Sequence, residues 1–323
     1  MRAIFINRYG GTEVLEEGDQ PRPVPRSRQV LVEVHAASVN PRDWLLREGR
    51  YVFRYLMPGF PLILGSDVSG VVVELGPKAT LFRPGDAVFG MQTPLGRMGG
   101  YAEYIAIDER ALAKKPANIS HEEAAAVPCA GLTAYGALLR VGRTRAGSRV
   151  TIIGASGGVG TYATQIAKAL GAVVSGVSSA RNASLVQSLG ADRVIDYTTE
   201  RFDALVYSQD LVFDTIGRES LQTCSRVLTR QGRYVTTIPS VSTFTNALTT
   251  NLWRTLRMGN AQSAHTILVR ADGQALSQIA SLMSAEKVRS VIDSVFPLSE
   301  VRLAHERSRS WRSQGKLVLQ VRT

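Results

Sequence analysis

The chain has 323 residues and a formal charge of +11, with 44% of its residues hydrophobic and 20% charged. This balance excludes an intrinsically disordered chain and supplies more apolar material than one core normally uses, so two domains are expected. No apolar run approaches the roughly 18 residues of a membrane span, and the opening "MRAIFINRYGG" passes directly into an alternating strand, so a soluble, cytoplasmic protein is expected.

Two cysteines, Cys129 and Cys224, cannot build a disulfide framework or a four-cysteine zinc lobe. Only six of the 38 basic residues are lysines, and "RSRSWR" is the one local cluster of arginines. That scatter fits a solvated basic surface and a phosphate-bearing ligand, and it argues against a nucleic-acid partner.

In chain order, the first 115 residues or so are β-rich. "QVLVEVHAASV", "LGSDVSGVVVELG", "FRPGDAVFG" and "GGYAEYIAID" are short strand patterns punctuated by Gly and Pro, as in a compact β-barrel. At Ser120 the pattern changes: "SHEEAAAV" begins a helix, with Ser120 as N-cap and Glu123 three residues on completing a capping box. Strands and helices then alternate through "RVTIIG", a helix from Val159 to Leu170, "AVVSGVS", "ASLVQSLG", "RVIDY", "LVFDTIG", "ESLQTCSRVL", "GRYVTTI" and "HTILV". Alternation of this kind predicts a parallel sheet with helices on both faces. The last 35 residues return to the earlier character and close on the strand "GKLVLQV", so the nucleotide-binding unit reads as an insertion. The expected boundaries are 1–120 with 287–323 for the first domain and 121–286 for the second.

The strand, glycine-rich turn and helix around 150–172 carry the fingerprint Ala155-x-Gly157-x-x-Gly160, with alanine in place of the usual first glycine. Gly157 lets the backbone approach a pyrophosphate, Gly160 lets the helix pack closely on the strand, and the helix terminus offers free N–H groups. Ala155, Ser156, Gly157, Gly158, Val159 and Gly160 are therefore candidate cofactor contacts. The next strand ends in "VSSARNAS", with Ser178, Ser179 and Arg181 where an NAD site carries a carboxylate for the ribose 2′-OH. Hydroxyls and a guanidinium accommodate a 2′-phosphate, so NADPH is the expected cofactor.

Several motifs together resemble the medium-chain dehydrogenase/reductase superfamily, and specifically its zinc-less quinone oxidoreductase branch, over essentially the whole length. They are "ASVNPRD", "LGSDVSGVV", "PGDAVFG", "GGYAEY", "PCAGLTAYGAL", "GASGGVG", "LGADRVIDY", "FDTIG" and the terminal "GKLVLQV". The resemblance implies an α/β fold, with a Rossmann doubly wound parallel sheet inserted into a GroES-like β-barrel catalytic domain. Zinc-dependent relatives hold their catalytic metal with residues matching Asn40, Ser66 and Cys129, so one of three ligands remains and no metal is expected. The structural zinc lobe is reduced to "MQTPLGRM".

The resemblance further implies a zinc-independent, NADPH-dependent reductase that passes hydride to a quinone or another α,β-unsaturated carbonyl. Two alternatives stay open: a carbonyl or alcohol dehydrogenase using residual metal, and a non-catalytic, crystallin-like protein binding NADPH and RNA. By the same resemblance, Asn40 and Tyr51 are the candidate catalytic residues, Asn40 as donor to the carbonyl oxygen and Tyr51 as stacking surface or proton donor. A second family tyrosine is Leu45 here, beside Trp44, which makes the pocket more apolar. Asp43 is read as holding the local turn.

Asn40, Thr133, Tyr197, Thr215, Ile238 and Lys316 complete the cofactor contacts, Tyr197 toward the 2′-phosphate and Thr215–Gly217 and 238–240 at strand ends. The connection 240–265 is amphipathic in its middle. Trp253, Leu256 and Met258 there suit a substrate site, a subunit contact or peripheral attachment to a membrane surface. A homodimer is implied by the resemblance.

Overall fold

The computed structural model describes residues 1–93, 98–238 and 262–322. By contact the chain divides into two units, Met1–Leu132 with Arg270–Glu286 and Ser290–Thr323, and Thr133–Val269 with Lys287–Arg289.

The first unit opens with strands β1 (Arg2–Ile6) and β2 (Glu16–Asp19), then β3 (Gln29–Val39), helix α1 (Pro41–Arg47), β4 (Leu62–Ile63), β5 (Asp67–Leu75), β6 (Ala87–Met91), β7 (Tyr104–Asp108) and β8 (Leu112–Lys114). Helix α2 (His121–Ala125) follows, and α3 (Pro128–Tyr135) carries the chain into the second unit. The second unit contains β9 (Arg149–Ile153), α4 (Gly158–Ala169), β10 (Val173–Ser178), α5 (Ala183–Ser188), β11 (Arg193–Asp196), α6 (Phe202–Leu205), β12 (Gln209–Asp214), α7 (Leu221–Ser225), β13 (Leu228–Thr236) and β14 (Ser263–Thr266). Helix α8 (Gly273–Ser284), β15 (Ile292–Pro297), α9 (Val301–Arg309) and β16 (Lys316–Gln320) return to the first unit.

In the first unit a seven-stranded sheet runs β15-β16-β3-β5-β6-β8, with β7 also paired to β3, beside a three-stranded sheet β2-β1-β4. The long strand β3 is the hub, antiparallel to β5, β7 and β16. Val30, Val32 and Val34 alternate along it, and they pack with Val68, Val88, Ile105, Leu317 and Leu319 in one buried core. The C-terminal strand thus rejoins the N-terminal sheet, as the composition of the last 35 residues predicts.

The second unit is a six-stranded sheet in the order β11-β10-β9-β12-β13-β14, with every pairing parallel. Order 3-2-1-4-5-6 is that of a doubly wound dinucleotide-binding fold. The strand expected at "HTILV" lies earlier, at Ser263–Thr266, because only these four residues pair with Arg233–Thr236, and Leu268 beyond them is exposed.

The division by contact also differs from the expected boundaries at their edges. Ser120 and Glu123 do form the capping box of α2, but residues 121–132 belong to the first unit, as do residues 270–286. Gly273 explains the second assignment: a Cβ there would lie 2.2 Å from the Leu112 carbonyl oxygen, so α8 starts directly against β8. Asn118 Nδ2 also donates to the Met283 carbonyl at 3.2 Å. Residues 287–289 join the second unit, where the Gln165 amide and the Arg289 backbone exchange hydrogen bonds of 2.8 and 3.0 Å.

Candidate active site

In the second unit the glycine-rich turn follows β9 at the carboxyl edge of the sheet. Gly154 sits at φ +79°, and both its N–H and that of Ala155 donate to the Val177 carbonyl at 3.0 Å, which clamps the turn to the end of β10. The left-handed position that needs glycine is therefore Gly154, one residue before the position assigned from the fingerprint. Ala155 is buried, its methyl group near Gly176 of β10. Gly160 has no room for a side chain, since a Cβ would stand 2.1 Å from the Gly154 carbonyl oxygen. At Gly157 an added Cβ would meet only that oxygen, at 3.4 Å, an ordinary contact. Nothing inside the fold demands glycine at 157, so the demand falls on whatever approaches from outside.

Gly157 is the N-cap of α4, and no side chain caps that end. The first N–H groups of a 12-residue helix, with the positive end of its dipole, are thus left without a side-chain acceptor. Around them the other strand ends assemble. Ser178 closes β10 and is buried, and Ser179 and exposed Arg181 follow it. Asn182 Nδ2 donates to Ser156 Oγ at 2.9 Å, tying the turn after β10 to the glycine-rich turn. Thr215 Oγ1, after β12, donates to the Ile153 carbonyl at 2.8 Å, and Thr237 Oγ1 donates to the Thr215 carbonyl at 3.0 Å beside exposed Ile238. Tyr197 is exposed after β11, under the Arg218 guanidinium at 6.0 Å. Thr133 is buried on α3. The predicted cofactor residues of β9, β10, β11, β12 and β13 therefore share the carboxyl edge of one parallel sheet, the edge at which such sheets bind ligands.

One organising residue escaped sequence reasoning. Asp214, fully buried at the end of β12, accepts from the N–H groups of Ile216, Gly217 and Glu219 at 2.8–2.9 Å and from the Tyr234 hydroxyl at 3.1 Å. It fixes the loop that carries Thr215. A hydrophobic strand ending in Asp before "TIG" is the signal that would have revealed it.

In the first unit the carboxylate of Asp67, at the start of β5, is the centre of a buried polar cluster. Its Oδ2 accepts from Ser38 Oγ at 3.1 Å, Asn40 Nδ2 at 3.1 Å and Cys129 N at 3.0 Å, and its Oδ1 accepts from Ser66 Oγ at 2.9 Å. The three positions matched to zinc ligands, 40, 66 and 129, thus all converge on one carboxylate. Asn40 follows β3 as the N-cap of α1, and β16, the antiparallel neighbour of β3, presents Lys316. Lys316 Nζ donates to Asn40 Oδ1 at 2.6 Å and to the Val39 carbonyl at 3.1 Å. The Asn40 amide is held at both ends, with one Nδ2 hydrogen engaged by Asp67.

Asp43 holds the turn, as its sequence position suggests: Oδ2 accepts from Asn40 N at 2.8 Å and from the Tyr101 hydroxyl at 2.9 Å. Burial raises its pKa to about 6 against the opposing pull of Arg42. Burial likewise pushes the Cys129 thiol up to about 12, with Asp67 adding to the rise and Lys316 opposing it. Half-buried Tyr51 has its hydroxyl pKa raised by burial, and its ring meets Phe53 edge-on at 5.7 Å. Beside Leu45, Trp44 is buried: its Nε1 donates to Ser308 Oγ at 3.2 Å and its ring packs edge-on against Trp311 of the C-terminal segment. Ser240, Trp253, Leu256 and Met258 lie outside the described residues.

Among the described residues no three His, Cys, Asp or Glu side chains gather into a metal-holding group, and no helix is long and apolar enough to cross a membrane.

Comparison with known proteins agrees with both units. The family descriptions "Alcohol dehydrogenase GroES-like domain" and "Zinc-binding dehydrogenase" match residues 26–117 and 189–319. A chloroplast envelope quinone oxidoreductase homolog of Arabidopsis thaliana is 34% identical over 337 residues, spanning 99% of this chain and 98% of the relative. The mitochondrial NAD(P)H oxidoreductase RTN4IP1 of Bos taurus is 33% identical over 363 residues, spanning 99% and 89%. The crystal structure of Escherichia coli quinone oxidoreductase complexed with NADPH superposes with a TM-score of 0.82 at 26% identity, covering 99% of this chain and all of that one. A Rossmann sheet, a GroES-like unit and relatives matched along 99% of the chain establish that it belongs to the medium-chain dehydrogenase/reductase superfamily, in its quinone oxidoreductase branch.

Proposed function

We propose that the protein is an NADPH-dependent, zinc-independent reductase that delivers hydride to a quinone or another α,β-unsaturated carbonyl. The observation that carries this reading is the uncapped amino terminus of α4 beside a β10 end that bears Ser178, Ser179 and Arg181 and no carboxylate. The N–H groups of Ser156 and Gly158–Gly160 receive the pyrophosphate over the bare Gly157 backbone, and the hydroxyls and the guanidinium receive the 2′-phosphate, aided by the Tyr197 ring. Thr133, Thr215, Ile238, Lys316 and Asn40 complete the cofactor contacts. A bound dihydronicotinamide supplies the hydride.

The donor set of the first unit does not fit zinc. Catalytic zinc takes thiolate, imidazole or carboxylate ligands. Here the positions offer an amide held by Lys316 and Asp67, a serine hydroxyl and a thiol pushed up to about 12, and both Asp67 oxygens already accept hydrogen bonds. An acceptor that delocalises the incoming charge onto its own oxygen needs less electrophilic help than an alcohol oxidation does. Asn40 has a second Nδ2 hydrogen for that oxygen. Tyr51, whose hydroxyl pKa burial raises further above neutral pH, is a flat wall and a further donor.

The test is NADPH turnover of 1,4-benzoquinone, a simple enone and a primary alcohol couple, together with metal analysis of the purified protein. Reduction of the first two by metal-free protein is expected. Stoichiometric zinc with activity confined to the alcohol couple overturns the reading.

A further inference from the structure

One charged side chain of the first unit has no role so far. Arg42 is the second residue of α1, and its side chain is only 10% exposed. Its Nε, Nη1 and Nη2 are all shielded from solvent, and none has a hydrogen-bond partner. Asp43 Oδ1 lies 3.9 Å from Nε, outside hydrogen-bond reach, and is itself buried without a partner. The other Asp43 oxygen is committed to Asn40 N and the Tyr101 hydroxyl. A guanidinium presents five N–H donors in a planar fork, and burial without acceptors is strongly unfavourable.

Apart from this ion pair with Asp43, the position of the cation is as telling as its want of hydrogen bonds. Burial pushes up the proton affinities of Asp43, Tyr51, Tyr101 and Cys129, and in each case the Arg42 charge opposes the rise. Arg42 therefore lies within electrostatic reach of Tyr51, the second candidate catalytic residue, and of Cys129, whose backbone N–H shares the Asp67 carboxylate with Asn40. Elsewhere in this cluster the polar groups satisfy one another, the Asp67 carboxylate through four donors and Lys316 through two acceptors. The fork of Arg42 is left to bind something from outside the chain.

We propose that Arg42 is a specificity-determining residue whose free fork receives a carboxylate carried by the acceptor, so that enones or quinones bearing an acid group are preferred over neutral ones. A planar carboxylate matches a guanidinium through two parallel N–H···O bonds, which a neutral ester cannot reproduce. The inference rests on the reductase reading for its substrate class, and direct binding separates the two.

The experiment compares (E)-4-oxo-2-pentenoate with its methyl ester in NADPH-dependent reduction and in calorimetric titration, for the wild type, Arg42→Leu and Arg42→Lys. In the wild type the acid is favoured by about tenfold or more in kcat/KM and in affinity, the range of a charge-assisted hydrogen bond. Arg42→Leu brings the acid-to-ester ratio close to one, and Arg42→Lys retains part of it. Thermal unfolding of each variant checks folding, and Arg42→Gln replaces Arg42→Leu if the latter does not fold. No wild-type preference for the acid, or a ratio unaltered by loss of the guanidinium, overturns the inference. If no acceptor is turned over but the acid still binds in an Arg42-dependent manner, the reductase reading fails and the carboxylate site stands.

Discussion

In the second unit the donors at the amino terminus of α4 are left without a side-chain cap, and the residues around them brace the turn without filling it. In the first unit the polar groups around Asp67 close on one another: Asp67 takes four hydrogen bonds, and Lys316 and Asn40 are joined at 2.6 Å. A backbone cradle can remain open because its N–H groups lie at the solvent-facing end of a helix and water satisfies them until a ligand arrives. A buried carboxylate has no such recourse and must be paired within the fold. The first unit is thus preorganised by its own hydrogen bonds, and the second waits for an anion.

The sharpest break of this contrast is Gly160→Val. Its new side chain would start 2.1 Å from the Gly154 carbonyl oxygen, and the resulting overpacking, worth about 3 kcal/mol, should weaken NADPH binding about 100-fold in a calorimetric titration. Asp67→Ala attacks the other side. It strands four donors, so denaturant unfolding of the first unit should lose about 3 kcal/mol, while the affinity of the second unit for NADPH changes far less.

Arg181→Glu places a carboxylate where the 2′-phosphate is to sit. It should raise the dissociation constant for NADPH by about tenfold and leave that for NADH nearly unaltered, as comparative titration would reveal.

The smallest effect is a pH dependence confined to the first unit. His305 is fully buried, with Nδ1 3.1 Å from Arg47 Nη1, and burial together with the Arg47 charge lowers its pKa to about 3. His121, stacked on His35, is lowered to about 4, chiefly by burial. Both are neutral in the fold and take up protons on unfolding, so their contribution to stability is present above pH 6.5 and is lost as the pH falls toward 4 and 3. Asp43, raised to about 6, works the other way, its contribution being full below pH 3.8 and lost as the pH rises through 6. His305→Gln removes one of the two histidine contributions. Thermal midpoints of the variant and the wild type should therefore converge as the pH falls from 7 to 4, and parallel curves would contradict the buried neutral imidazole.

Much of this was legible in the sequence because it depends on local pattern. The alternating valines of β3, the Ser120–Glu123 capping box and the glycine-rich turn each act within a few residues, and each stands where the sequence places it. What escaped depends on contacts between distant segments. Asp67 meets Ser38, Asn40 and Cys129 across 27 to 62 residues of chain, and no motif spacing encodes that convergence. Trp44 likewise bonds Ser308, 264 positions away along the chain. The left-handed turn at Gly154 falls just before the fingerprint, which records glycine and not the sign of φ. Arg42 stands inside the "ASVNPRD" motif, but nothing in that motif shows that its buried nitrogens lack hydrogen-bond acceptors.

The most direct test of the open cradle is a side-by-side calorimetric titration of the wild-type protein with NADPH and NADH. A preference for NADPH of about tenfold or more is expected from the charge-assisted contacts at Ser178, Ser179 and Arg181. Equal affinities, tighter binding of NADH, or no heat from either nucleotide would contradict it.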